Sequence, residues 1–82
     1  MVVLDVFSRQ GCHLCEVLIE ELLPLVRGRA EVRVHDIDSR EDWREAYDVR
    51  VPVVEFNGQL LCQYHLDAEA VNRALSDVAD PA

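Results

Sequence analysis

Ser8-Arg9-Gln10-Gly11-Cys12-His13-Leu14-Cys15-Glu16 is the stretch around which the rest of this chain falls into place. An extended apolar run, Val2 to Phe7, feeds into it, and a helical pattern leaves it at once. Gly11 supplies the polar turn between the two. A thiol at a strand-to-helix junction sits beside free backbone N–H groups and the positive end of a helix dipole. That setting favours thiolate over thiol, and reactive cysteines in such places fall from a pKa of about 8.5 to roughly 3.5–7.5. Cys15, one turn further on, faces Cys12 and can displace it from a mixed disulfide. Two cysteines at this spacing point to redox chemistry.

Working outward, residues 2–7 form a continuous β-prone run, the pattern of a strand covered on both faces. Asp5 interrupts it, either as a proton relay beneath the cysteines or as a partly solvated strand residue. From Cys12 onward, Leu14, Val17, Leu18, Leu22 and Leu25 recur at i, i+3, i+4 spacing, with Glu16, Glu20 and Glu21 opposite. That predicts an amphipathic helix. Pro24 lacks an N–H and disfavours helix at Leu23, so the helix is expected to end or kink there, with Gly28 as the turn out. Val32, Val34 and Ile37, alternating with Glu31, Arg33 and Asp36, give a second strand. Strand, helix, strand in this span is a right-handed, parallel βαβ unit.

Ser39 followed by Asp42 resembles a capping box for a short helix carrying Trp43, Ala46 and Tyr47 on one side, an aromatic pair suited to core packing. Val51 to Phe56 is a third strand, whose start or edge Pro52 must mark. Asn57-Gly58 is a strong type I′ hairpin signal leading into Gln59-Leu60-Leu61-Cys62. Asp67 caps a last helix with Val71, Leu75 and Val78 on its apolar face, Leu66 stapling against Val71, and Pro81 ends the chain. The order β-α-β-α-β-β-α, with C-x-x-C opening the first helix, is an α/β thioredoxin fold in minimal form. It implies one domain over residues 1–82 and a four-stranded mixed sheet.

Composition narrows the function. At 82 residues the chain buries somewhat over about 60% of its unfolded surface, enough for one modest core. Eight basic against 16 acidic residues leave a net charge of −8, which argues against nucleic acid and anionic membranes as partners. Three cysteines do not make a disulfide framework. The N-terminal run lacks the charged region and cleavage site of a signal peptide, and no apolar stretch approaches the roughly 18–20 residues of a membrane span. A reducing cytoplasm is expected, where C-x-x-C is catalytic or metal-binding.

The metal alternative has a definite ligand set. Cys12, Cys15, Cys62 and His65 have the count of a Cys3His zinc site, with a cluster bridged between two chains as a variant. In that case the protein binds a metal or a partner without turnover. Taken alone, Cys62 reads as a small buried hydrophobe, His65 as a surface loop residue and His35 as packing or solvated. His13 is open between two roles. Protonated, it would stabilise the Cys12 anion and make the couple more oxidising; otherwise it is an exposed bystander at a helix end that disfavours cations.

Phe7-Ser8-Arg9 followed by Cys12-His13-Leu14-Cys15, then Val51-Pro52, then Asn57-Gly58, resembles the glutaredoxin family, and within it the small bacterial glutaredoxin-like proteins. The resemblance runs from residue 2 to about residue 78. It implies a thiol–disulfide oxidoreductase of cell redox homeostasis, with Cys12 as attacking thiolate and Cys15 as resolving thiol. It further implies that Arg9 favours the thiolate and meets a glutathione carboxylate. Val51 would offer backbone hydrogen bonds to a bound peptide or glutathione, and Pro52 would be cis against the sulfurs, with His13 also at this groove. The expected partner is a disulfide-containing or glutathionylated protein, with glutathione as co-substrate, no tightly bound cofactor, and a monomeric chain. The family's Gly-Gly and acidic residue are replaced here by Cys62-Gln63-Tyr64-His65, placing side chains where a ligand backbone would approach closely. The dipeptide between the cysteines is His-Leu where the family usually has Pro-Tyr.

Overall fold

The computed structural model describes residues 2–79, with side chains described as far as Asp77. Strand β1 (Val2–Ser8) leads to helix α1 (His13–Val26) and strand β2 (Ala30–Asp36). A single 3-10 turn (Ile37–Ser39) and helix α2 (Glu41–Tyr47) follow, then β3 (Val53–Phe56), β4 (Gln59–Gln63) and α3 (Ala68–Ala79). The sheet order is β2-β1-β3-β4, with β1 parallel to β2 and antiparallel to β3, and β4 antiparallel to β3. Apart from the 3-10 turn, this is the expected element order and the expected mixed sheet. No described helix is long and apolar enough to cross a membrane.

Strand alternation divides the protein into two layers of unequal size. Leu4 and Val6 of β1 face one way, into a core completed by Leu18, Leu22 and Val26 of α1, Val54 and Cys62 of the hairpin, and Val71 and Leu75 of α3. Phe7 faces the other way and packs with Ile37 and Val53 under Trp43 and Tyr47. Its ring stacks on Tyr47 at 4.2 Å between centroids and meets Trp43 edge-on at 5.5 Å. The aromatic pair of α2 is core packing, as the spacing suggests, although Ala46 is exposed. Asp5 shares the Phe7 face, where its Oδ1 lies 2.7 Å from His35 Nε2. It therefore points away from α1, and a relay beneath the cysteines is ruled out. His35 is both packed and paired, stacked on Phe7 at 5.2 Å.

Several boundaries move for identifiable reasons. Helix α1 continues through Pro24 to Val26. Leu22 and Val26 lie one turn apart on the buried stripe, so continuing the helix keeps Val26 in the core. Burying one such side chain contributes about 1.5–3 kcal/mol, comparable to the roughly 3 kcal/mol a mid-helix proline costs. The buried face is also rotated from the expected one. Cys15, Leu18, Leu22 and Val26 form it, while Leu14 and Val17 are 40% and 37% exposed. Strand β2 stops at Asp36, because the Asp36 carboxylate accepts the Asp38 N–H at 2.9 Å and turns Ile37 into the 3-10 element. The Ser39–Asp42 capping box does not form. The Ser39 hydroxyl donates to Asp36 O at 2.6 Å, and Arg40, which holds Asp42 through two hydrogen bonds, is the residue before α2. β3 begins at Val53, two residues later than expected.

The last third follows its sequence signals closely. Asn57 and Gly58 both take positive φ, 53° and 79°, as a type I′ turn requires. A bulge between Val54 and Glu55 shifts the β3–β4 register by one residue. Asp67 caps α3 by accepting the Ala70 N–H at 3.0 Å, and Leu66 packs on the core that holds Val71. The Val78 side chain and Pro81 lie outside the described residues.

The α2 face supplies a pH-dependent contribution to stability. Tyr47 donates its hydroxyl to Glu55 Oε2 at 2.9 Å. Burial, and then that hydrogen bond, push the Tyr47 phenol up to about 12. An unfolded tyrosine ionises near pH 10, so from about pH 10 to 12 the unfolded state has lost a proton that the native state keeps. Stability must fall with rising pH across that window. Urea denaturation of wild type and Tyr47→Phe at a series of pH values should show this component of the fall in the wild type and its loss in the variant. Identical pH slopes in the two proteins would contradict the assignment.

Candidate active site

The C-terminal ends of β1 and β2 and the N-terminus of α1 meet at one edge of the sheet, and the cysteine pair sits there. After Ser8 the chain leaves the sheet in a turn closed by Cys12 N–H donating to Arg9 C=O at 3.2 Å. Gly11, at φ 78°, takes the left-handed position in that turn, which a side chain would strain. Cys12 then adopts extended geometry as the N-cap of α1. Its carbonyl accepts the Glu16 N–H at 3.1 Å, and its Sγ accepts the Cys15 N–H, also at 3.1 Å. A sulfur therefore fills the capping role usually taken by a Ser or Asp oxygen. That N–H satisfies a negatively charged sulfur better than a neutral one, so the cap favours the thiolate.

Cys12 and Cys15 are joined by a disulfide, with their Cα atoms 5.2 Å apart. Their surroundings differ sharply. Cys12 is half-buried and reachable from solvent, whereas Cys15 is 2% exposed beneath the first turn. An external thiol can reach the first sulfur and not the second.

The remaining sequence candidates occupy this edge in different ways. The β1–β3 register pairs Asp5 with Glu55, Val6 with Val54 and Phe7 with Val53. Continued outward, it sets Pro52 level with Ser8 and Val51 level with Arg9, beside the cysteine turn. The Val51–Pro52 bond is cis and Pro52 is buried. Among the described residues, no backbone hydrogen bond closes on Val51, while Pro52 C=O accepts the Tyr64 N–H at 2.8 Å. His13 stands at the start of α1 with its side chain 85% exposed and its Nδ1 3.9 Å from Glu16.

Arg9 is placed differently from a free cation at the groove. Its Nε and Nη2 donate to the two carboxylate oxygens of Asp38, each at 3.1 Å, and its Nη1 donates to Asp48 at 2.9 Å. These hydrogen bonds, Asp38 first and Asp48 next, raise the guanidinium further above its already high range. Neither aspartate stood out in the sequence, since no spacing rule links residues 9, 38 and 48. Tyr64 was also missed as a conformational feature. It sits directly after β4 in the left-handed region at φ 69°, which is rare for a bulky residue.

The metal ligand set is not assembled. Cys12 and Cys15 are bonded to each other, Cys62 packs into the main core and His65 is exposed. Among the described residues no group of three or more His, Cys, Asp or Glu could hold a metal ion. Cys62 on β4 pairs with Val54, and strand alternation turns both inward. Burial pushes its thiol up, the direction expected of an inert structural cysteine.

Residues 3–76 match the model of a family described as the Glutaredoxin-like domain (DUF836). Among solved structures, the chain is similar to the X. campestris target protein XcR50. Its crystal structure is 32% identical, with 93% of this chain and 97% of that chain covered at a TM-score of 0.67. The solution structure of XcR50, also 32% identical, is matched over the whole of both chains at 0.66. A variant thioredoxin from Halobacterium salinarum is 25% identical over 99% of this chain and 77% of its own, at 0.64. No curated protein matches the chain.

The site geometry orders the three thiols by reactivity. After reduction, brief iodoacetamide treatment at neutral pH should alkylate Cys12 first, with Cys15 and Cys62 reacting only on unfolding, as peptide mass mapping would report. Labelling of Cys62 as fast as Cys12 would contradict the burial argument.

Proposed function

The chain belongs to the Glutaredoxin-like domain family, and from that premise we propose that it works as a thiol–disulfide oxidoreductase through Cys12 and Cys15. The observation that carries the reading is the asymmetry of the pair: a reachable sulfur capping a helix, bonded to a buried partner one turn away. An exchange enzyme needs that combination. The outer sulfur must be attacked and attack in turn, and the inner one must act only within the molecule.

In the reducing direction, Cys12 thiolate attacks one sulfur of a substrate disulfide. An S–S bond forms between Cys12 and that sulfur, the substrate S–S bond breaks, and the departing thiolate takes a proton. Cys15, deprotonated, then attacks Cys12 Sγ and releases the second substrate sulfur as a thiol. The dithiol has lost two electrons and two protons to the substrate and ends as the Cys12–Cys15 disulfide. A thiol reductant returns it to the dithiol form by the same steps reversed.

Chain geometry suggests how substrate is held. An extended segment lying along Val51 could pair with its N–H and C=O, as a strand adds to a sheet edge. Pro52 would form the floor of that groove and His13 its exposed rim. The substrate in this reading is a disulfide-containing or glutathionylated protein, with glutathione as the small-thiol co-substrate and no tightly bound cofactor. The protein acts as a monomer in a reducing cytoplasm, as part of redox homeostasis.

Single-cysteine variants test the sequence of steps. Cys12→Ser should abolish disulfide reduction, because neither remaining thiol is reachable. Cys15→Ser should complete the first step only and accumulate a mixed disulfide, visible as an added half-substrate mass. Retention of full reductase activity by Cys12→Ser would overturn the assignment.

A further inference from the structure

Arg9 starts the turn that ends at Cys12, and its guanidinium is already engaged by carboxylates. All three of its nitrogens donate to carboxylates, two to Asp38 and one to Asp48. One positive and two negative charges make this group net −1. Its arginine belongs to the cysteine turn, since the Arg9 C=O accepts the Cys12 N–H. On the other side of Cys12, the first turn of α1 carries Glu16, and the whole chain stands at −8. The sulfur that attacks is thus approached through a negative potential, although an arginine stands three residues before it.

We propose that Asp38 and Asp48, by occupying the Arg9 guanidinium, make the exchange reaction selective for disulfides flanked by basic or uncharged groups and against anionic ones. The inference rests on the oxidoreductase reading and names its substrate class. Of the substrates that reading allows, a protein disulfide in a basic segment is favoured, and the anionic glutathione adduct is disfavoured. The physical cause is local. An incoming cation gains from the net −1 cluster while still partly solvated, and an incoming carboxylate finds the Arg9 guanidinium already bonded to Asp38 and Asp48. Both effects weaken as salt shortens the screening length.

The test uses the reduced full-length chain and three small disulfides: cystamine, which is dicationic, dithiodipropionate, which is dianionic, and bis(2-hydroxyethyl) disulfide, which is neutral. Oxidation is followed by quenching and mass measurement, and each rate is divided by that of dithiothreitol with the same disulfide to remove intrinsic reactivity. The normalised preference for cystamine over dithiodipropionate should be about tenfold at low ionic strength and should shrink as salt is added. In Asp38→Asn/Asp48→Asn it should fall most of the way to the dithiothreitol value. If that double variant does not fold by circular dichroism, Asp48→Asn alone and the wild-type salt dependence make the same comparison. No charge preference, or one unchanged in a folded variant, overturns the proposal while reaction with the neutral disulfide leaves the oxidoreductase reading standing. Failure to react with any of the three removes both.

Discussion

The hydrogen bond from Cys15 N–H to Cys12 Sγ, at 3.1 Å, is the interaction on which the rest of this structure converges. It exists because a strand ends, a glycine turns the chain, and a helix begins within a few residues. The first N–H groups of a helix have no partner inside it and must find one. In this protein the partner is a sulfur. The same feature that completes the helix also holds the sulfur to which the proposed exchange is assigned, so the fold and the proposed chemistry share one cap. A serine would cap the helix as well and would carry no exchange chemistry.

Everything around that cap serves to keep it fixed. Leu4 and Val6 hold β1 against α1, so the junction between them has a rigid strand on one side and a buried helix on the other. Phe7, facing the second layer, anchors the last turn of β1 under Trp43 and Tyr47. Arg50 continues this bracing, donating to Gln63 at 3.1 Å while its backbone N–H bonds Tyr47 C=O at 2.9 Å. The residue that precedes Val51 and Pro52 is thereby tied to both α2 and β4. Arg9, Asp38 and Asp48 add a surface ion-pair group that ties the cysteine turn to the 3-10 turn after β2 and to the C-terminal end of α2. Exposed pairs of this kind contribute little to stability, so their consequence is electrostatic before it is structural.

Most of the fold was legible in the sequence because its elements carry strong local signals. The apolar run before Gly11, the heptad-like spacing after Cys12, Asn57-Gly58 and Asp67 each specify a local conformation with a mechanism behind it. Failures came where tertiary burial outweighed local preference. Pro24 reads as a stop, yet Val26 beyond it is needed in the core. Ser39 and Asp42 look like a capping box, yet Asp36 turns the chain first and Ser39 bonds backward to it. Leu14 and Val17 fit the helical stripe by spacing and lie outside it, because the buried stripe runs through Cys15, Leu18, Leu22 and Val26. The cysteine pair at the start of α1 and the Val51-Pro52 segment before β3 could be located from the sequence. The Arg9 cluster could not, since it joins three distant parts of the chain that only the β1–β2 pairing and α2 bring together. The four donors of the metal alternative are not brought together among the described residues for the same kind of reason: spacing cannot show that strand alternation turns Cys62 into the core.

One measurement reaches the central claim directly. The protein is equilibrated in a series of thiol–disulfide buffers of known potential, quenched with acid, and read by intact mass and free-thiol count. The account predicts one reversible two-electron transition, with loss of two hydrogens, disappearance of the Cys12 and Cys15 thiols together, and Cys62 still free throughout. Absence of a reversible transition, or a disulfide that involves Cys62 in place of either, would contradict it.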